Sequence, residues 1–279
     1  MVSRKQFVYK DEHEVNTLTK EVYLAQPFQI EADDFHKAWF EGLYIAQNKG
    51  LPIVFGSEKE PKKARDTIQT ISMTGKAIEQ ILNCEIHPYY RMKELAIREY
   101  KKEYDRIWFN ETYNKLPAED RKRFTYVYIE RLIKHRTPNG FVDQISGLKD
   151  LLAEQIRSGI ASNRHQAITW EPDIDMKSDS PPCLQRIWIR HYSGGYVDIH
   201  FDWRSRDLFN AWQGNLIGLI AMLNVEVVLP NKCKIVRVID KSDSLHIYEG
   251  VVGEADNVLK MERQRNPDFV KKLEYKYMD

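Results

Sequence analysis

Cysteine is scarce in this chain: Cys84, Cys183 and Cys233 are odd in number, widely spaced and form no Cys-x-x-Cys pair. That pattern excludes a disulfide framework and argues against a thiolate zinc site, so no metal is expected. Long apolar runs are missing as well. No stretch reaches the roughly 18 apolar residues that a membrane-spanning helix needs, and the opening MVSRKQFVYKDEHEV has no apolar signal core. A soluble, cytoplasmic protein with no membrane partner is the expectation. Neither sign of charge is in excess, with 42 Lys and Arg against 41 Asp and Glu, which removes the broad electrostatic case for a nucleic-acid partner. Repeats, low-complexity tracts and Gly/Ser linkers are also absent. Residues 1–279 are therefore expected to form one domain, long enough to bury a core without covalent staples.

What is present is a readable pattern of elements. Phe35, Trp39, Leu43 and Ala46 share one stripe of a helix expected over Ala32–Lys49, with Asp33 and Asp34 at its start and Gly50 past its end. Polar Gly56–Arg65 (GSEKEPKKAR) reads as a basic loop leading into an alternating strand, Thr67–Met73. Tyr90 to about Trp108 is charged and helix-prone, and Asp143 is placed to cap a helix carrying Ile145, Leu148, Leu152 and Ile156. Arg186–Tyr192 and Tyr196–Trp203 alternate polar and apolar residues across Ser193-Gly194-Gly195, the pattern of a β-hairpin. In the second strand Val197, Ile199, Phe201 and Trp203 fall on one face, opposite Tyr196, Asp198, His200 and Asp202. Asp207–Leu223 is apolar enough for a buried helix. Strands follow at Ile235–Ile239 and His246–Tyr248, then a polar segment with helical potential. Hairpins with segregated helices indicate an α+β fold built on one sheet.

Two short segments carry chemistry. Cys183 follows Pro181-Pro182, whose fixed backbone holds the approach to the next strand. Alone, such a cysteine reads as a small core hydrophobe as readily as a nucleophile. About twenty residues on, Asp202-Trp203-Arg204-Ser205-Arg206-Asp207 spans a strand-to-helix junction. Arginine and serine at such a junction suit a phosphate through guanidinium contacts and helix N-terminal amides, although ordinary surface charge gives the same composition.

Pro181-Pro182-Cys183, then Arg204-Ser205-x-Asp207, then Asn215, then His246-x-Tyr248 together resemble the ordered signature of thymidylate synthases and pyrimidine-nucleotide hydroxymethylases. Cys-Leu-Gln at 183–185 and Ala211-Trp212-Gln213-Gly214 resemble the archaeal, divergent branch. The resemblance implies an α+β thymidylate-synthase-like domain with a central mixed sheet and a sheet-packed homodimer. It implies Cys183 as the nucleophile that adds to pyrimidine C6 and activates C5, with Arg204 lowering the thiol pKa and helping to hold phosphate. Ser205 and Arg65 are implied phosphate ligands, and Arg164, in Ser162-Asn163-Arg164, is the implied arginine from the partner protomer. His246 and Tyr248, on one face of a strand, resemble the pair that bonds the sugar 3′-hydroxyl. Asn215 resembles the base-reading amide and favours uracil over cytosine, and Ser205 leans towards a 2′-deoxyribonucleotide. Asp207 resembles the pterin contact, Trp108 the tryptophan that protects the intermediate, and Tyr128 the tyrosine near the C5 proton. Glu94 is the preferred general base, with Glu85 and Glu99 as alternatives.

The implied activity is one-carbon transfer to dUMP from 5,10-methylenetetrahydrofolate or a related reduced pterin. Hydride transfer would finish a thymidylate synthase; addition of water would finish a 5-hydroxymethyltransferase on dUMP, dCMP or CMP. Leu184 stands where the family has histidine after the cysteine, and the closing C-terminal segment has no match in Asn266–Asp279. A catalytically silent nucleotide-binding regulator is the reading of another class.

Overall fold

The computed structural model describes residues 24–57, 60–90, 93–121 and 127–278. Ten strands are seen among them: β1 (Pro27–Ala32), β2 (Leu51–Ser57), β3 (Glu60–Thr74), β4 (His135–Thr137), β5 (Gly140–Val142), β6 (Gln166–Ile168), β7 (Leu184–Tyr192), β8 (Tyr196–Trp203), β9 (Arg206–Asp207) and β10 (Lys234–Tyr248). The α-helices among the described residues are α1 (Phe35–Lys49), α2 (Lys76–Leu82), α3 (Lys93–Glu103), α4 (Arg106–Glu111), α5 (Ala118–Arg121), α6 (Tyr128–Ile133), α7 (Gln144–Ser158), α8 (Pro172–Asp175), α9 (Trp212–Leu223), α10 (Val252–Arg265) and α11 (Pro267–Lys276).

One mixed sheet organises the fold, in the order β1-β3-β10-β8-β7-β6, with β2 beside β3 and β9 beside β10. The fold is α+β, as composition and pattern suggested. Local chemistry explains its best-defined pieces. Asp34 caps α1 by accepting from the backbone N–H groups of His36 and Lys37 at 3.0 and 3.1 Å, and Asp143 caps α7 by accepting from Ser146 N at 3.0 Å. Gly194 and Gly195, both at positive φ, turn β7 into β8. In β8 the expected inner face holds, with Val197, Ile199, Phe201 and Trp203 all buried, but Asp198 on the opposite face is buried too.

Three expectations are corrected. Of the segment 56–65, expected as a loop, the described residues are strand, 56–57 closing β2 and 60–65 opening β3; the side chains of 60–63 are exposed, so no buried face gave them an alternating pattern, while pairing with β2 satisfies their backbone. The two C-terminal strands are one, β10, with an irregularity between Ser242 and Leu245. Its polar middle reads as a break in sequence, yet Asp240 and Ser242 are buried. The helix expected over Asp207–Leu223 begins at Trp212, because the Asp207 carboxylate accepts from Phe209 N and Asn210 N at 3.0 and 2.9 Å and holds a turn there. Strand β1 had no sequence signal.

Helix α9 is the centre of the core, with Trp212, Leu216, Ile217, Leu219, Ile220 and Leu223 all fully buried. The stretch Trp212–Asn231 is long and apolar enough by composition to cross a membrane, but 72% of its 18-residue apolar window is buried inside the fold. Two glycines one turn apart let α3 pack closely on α9. A Cβ on Gly214 would meet the Tyr100 ring at 2.1 Å, and one on Gly218 the Tyr104 ring at 2.6 Å. That close approach sets the far wall of the cavity described next.

Candidate active site

Cys183 sits where the Pro-Pro segment meets β7, and Arg204 holds it there. The Arg204 guanidinium donates from Nε to Pro182 O at 2.9 Å and from Nη2 to Pro181 O at 2.6 Å, while its backbone N–H donates to Cys183 O at 3.0 Å. Nη2 also lies 3.8 Å from Cys183 Sγ. Tyr128 approaches from the other side: its hydroxyl accepts from Leu184 N at 3.4 Å and hydrogen-bonds to the sulfur.

Cys183 opens into a cavity of about 380 Å³, whose wall also includes Tyr128, Ser205, Asp207, Asn215, His246 and Tyr248. Residues from the β8–β9 junction, α9, α6 and β10 thus share one cavity with the sulfur. Asn215 is 6% exposed, and its Oδ1 accepts from the Tyr104 hydroxyl at 3.0 Å. His246 is 2% exposed, with no hydrogen-bond partner for Nε2 among the described residues, and its ring meets Tyr248 edge-on at 4.7 Å.

Other sequence candidates are not brought to this wall. Arg65 lies within β3 and donates from Nη1 to Gln47 O at 2.7 Å. Arg164 is exposed between α7 and β6, and Trp108 packs on Tyr113 with ring centroids 5.3 Å apart. Glu85 and Glu99 are exposed, Glu99 pairing with Lys102 at 2.9 Å. Glu94 belongs to α3, but its side chain lies outside the described residues.

The profile of the family described as thymidylate synthase matches residues 53–278. The chain belongs to the thymidylate synthase family. Curated relatives agree, each carrying the name "Putative thymidylate synthase". The protein of Methanothermobacter marburgensis is 34% identical over 51% of this chain and 60% of its own length, so that match spans less than two thirds of the relative. The protein of Methanothermobacter thermautotrophicus is 29% identical over 84% of this chain and 99% of its own, and that of Methanosarcina barkeri 27% identical over 83% and 94%.

Within this thymidylate-synthase fold the cavity also holds residues that sequence reasoning missed. Glu103 lies on its wall, and burial pushes its carboxyl up to about 7. Its spacing from Tyr100, one turn earlier on α3, was the available signal. Arg206 is the second. Buried to 2% exposure, it donates from Nη1 to both oxygens of Asp240 at 2.6 and 2.7 Å and stacks 4.0 Å over the Trp203 ring. Trp203 Nε1 and Trp212 Nε1 donate to the same carboxylate at 2.9 and 2.7 Å.

Electrostatics at the sulfur correct one expectation. Burial pushes the Cys183 thiol up, and this outweighs the pull of Arg204, Arg206 and the Tyr128 hydrogen bond in the opposite direction. The cations reduce the cost of a thiolate without making it the resting form.

Proposed function

We propose that this chain, as a single-domain protein of residues 1–279 working as a homodimer, transfers a one-carbon unit to C5 of dUMP through a covalent Cys183 adduct at C6. The observation that carries the reading is the Cys183 sulfur beside Arg204 and open to the cavity that also contains Asn215 and His246. A thiolate is the nucleophile, and the charges of Arg204 and Arg206 together with the Tyr128 hydroxyl favour it. Asn215, fixed by Tyr104, is suited to accept from uracil N3–H and donate to O4. Glu103, titrating near neutrality, is suited to carry protons to and from the pyrimidine, and in this reading takes the place first given to Glu94. Tyr128 reaches the sulfur side of the ring and serves the C5 proton.

Arg204 and Ser205 are assigned to the phosphate, completed by Arg65 after movement from its contact with Gln47 and by Arg164 contributed across a dimer. Support for a dimer comes from the sheet face away from the core, where Ser72, Ile239, His200 and Trp188 follow one another in register and remain only partly exposed. The residues fit a reduced folate: Asp207 lines the cavity with its carboxylate anchored by Phe209 and Asn210, leaving acceptor capacity for the ring N–H donors of a pterin. When bound, 5,10-methylenetetrahydrofolate would supply the carbon.

A second outcome, a 5-hydroxymethyl product, is favoured by one observation: Trp108, assigned to protect the intermediate, packs on Tyr113 away from the cavity. Incubation with dUMP, dCMP or CMP and the folate, followed by mass measurement of the nucleotide, distinguishes a methyl from a hydroxymethyl gain. Full turnover by Cys183→Ala would refute covalent catalysis, and dUMP binding without release of tritium from C5 would leave only a nucleotide-binding regulator.

A further inference from the structure

Beneath the cavity wall runs a partly buried polar relay that the proposed reaction does not use. Strands β3 and β10 place Asp66 opposite His246, and the irregularity between Ser242 and Leu245 leaves Ser244 beside them. Ser244 Oγ lies 2.7 Å from Asp66 Oδ1 and 3.4 Å from His246 Nδ1. The other ring nitrogen, Nε2, is buried without a partner among the described residues, on a side chain that lines the cavity.

Proton counting decides the roles. An ionised carboxylate only accepts, so Ser244 directs its single O–H to Asp66 and presents a lone pair to Nδ1. The Ser244 backbone also bonds to the ring, and a carbonyl can only accept. Nδ1 therefore faces acceptors and must carry the hydrogen. Burial holds the imidazole down to about 4, so at neutral pH the ring has one proton, leaving Nε2 bare. Asp66, pushed up to about 6 by burial against the opposing bonds from Ser244 and Thr67, is ionised above that pH. Asp207 on β9 acts on the ring through its charge but makes no hydrogen bond to Nε2, which has no partner among the described residues.

We infer that Asp66 and Ser244 are positioning residues that fix His246 as the Nδ1–H tautomer, so that bare Nε2 faces the cavity as the acceptor for a substrate hydroxyl. The tautomer stands independently of the proposed reaction; that the hydroxyl belongs to a nucleotide sugar rests on it. Tyr248, edge-on to the ring, is placed to serve the same hydroxyl from its other side.

The test is histidine ¹⁵N NMR on the full chain at pH 8, with His246 assigned by the signal lost in His246→Gln. The wild type is expected to show an Nδ1–H ring. Asp66→Ala frees Ser244 to donate to Nδ1, and the population should move towards Nε2–H. An Nε2–H ring in the wild type, or an unchanged tautomer in folded Asp66→Ala, overturns the inference, and the wild-type spectrum decides the tautomer without any variant having to fold. Kinetically, Asp66→Ala and Ser244→Ala should raise KM for dUMP about tenfold with kcat little changed, the scale of one hydrogen bond, and the difference should vanish with 3′-deoxy-dUMP. An unchanged KM overturns the substrate arm. Should the wild type turn over no pyrimidine nucleotide, the proposed reaction fails while the NMR result still decides the tautomer.

Discussion

The Tyr104 hydroxyl donates to Asn215 Oδ1 over 3.0 Å and so joins α3 to α9 at the floor of the cavity. Tyr104 is itself held in a stack with Tyr128, their rings 5.4 Å apart and nearly parallel. Tyr104→Phe should cost about 1 kcal/mol of stability for the lost hydrogen bond and raise KM for dUMP, because the amide is no longer held. Urea unfolding and steady-state kinetics check the two effects; unchanged values for both would show that this bond does not position Asn215.

Gly214 leaves no room for a methyl group. With a Cβ placed 2.1 Å from the Tyr100 ring, Gly214→Ala must push α3 away from α9 at a cost of about 1–3 kcal/mol, and Glu103 and Tyr104 move with the helix. Thermal unfolding should register the loss, and activity should fall by more than stability alone explains. A variant with wild-type melting and turnover would refute this packing.

Glu103 is expected to link pH to both stability and, as the proposed base, rate. Its folded carboxyl titrates near 7 against an ordinary value of 4.5, so between those pH values the folded protein holds the extra proton. Its contribution to stability therefore decreases as pH rises across that window and is level above it. Glu103→Gln removes this slope, and its advantage over wild type in denaturant unfolding should be larger at pH 8 than at pH 5. In turnover the same variant should lose on the order of 10²–10⁴-fold, and the wild-type rate should rise through about pH 7 as the base ionises. Parallel pH–stability curves for the two proteins would remove Glu103 from this role.

Asp240 holds two tryptophans and one arginine inside the core. Asp240→Asn leaves the Arg206 charge buried without its counter-ion, at an expected cost of about 3–5 kcal/mol. Replacing the pair with apolar residues of similar volume should recover much of that loss. A calorimetric comparison of single and double variants measures it; equal melting temperatures would show that the pair is not coupled.

Part of this molecule was legible residue by residue. Caps at Asp34 and Asp143 act within three residues of the chain, and the β7–β8 hairpin is written in strict alternation around two glycines. Cys183, Ser205, Asn215, His246 and Tyr248 stood out because their order and spacing resemble a family signature, and they line one cavity. Exposed strands escaped detection: β2 and the first half of β3 bury almost nothing, so no hydrophobic period marks them. Glu103 was missed for the opposite reason, since its spacing from Tyr100 is a weak signal on a charged helix and its place on the cavity wall is what separates it from the other glutamates there.

The sequence alone determined the α+β class and the family, and singled out the cysteine proposed as nucleophile, because local periodicity, capping and a linear motif depend on neighbours along the chain. Only the tertiary structure decided which glutamate shares the cavity with that thiol, that burial outweighs Arg204 in setting its protonation, and that Asp66 and Ser244 stand behind His246. Desolvation and hydrogen-bond partnership depend on distances between residues far apart in the chain, and these exist only once the sheet has brought β3, β10 and α9 together.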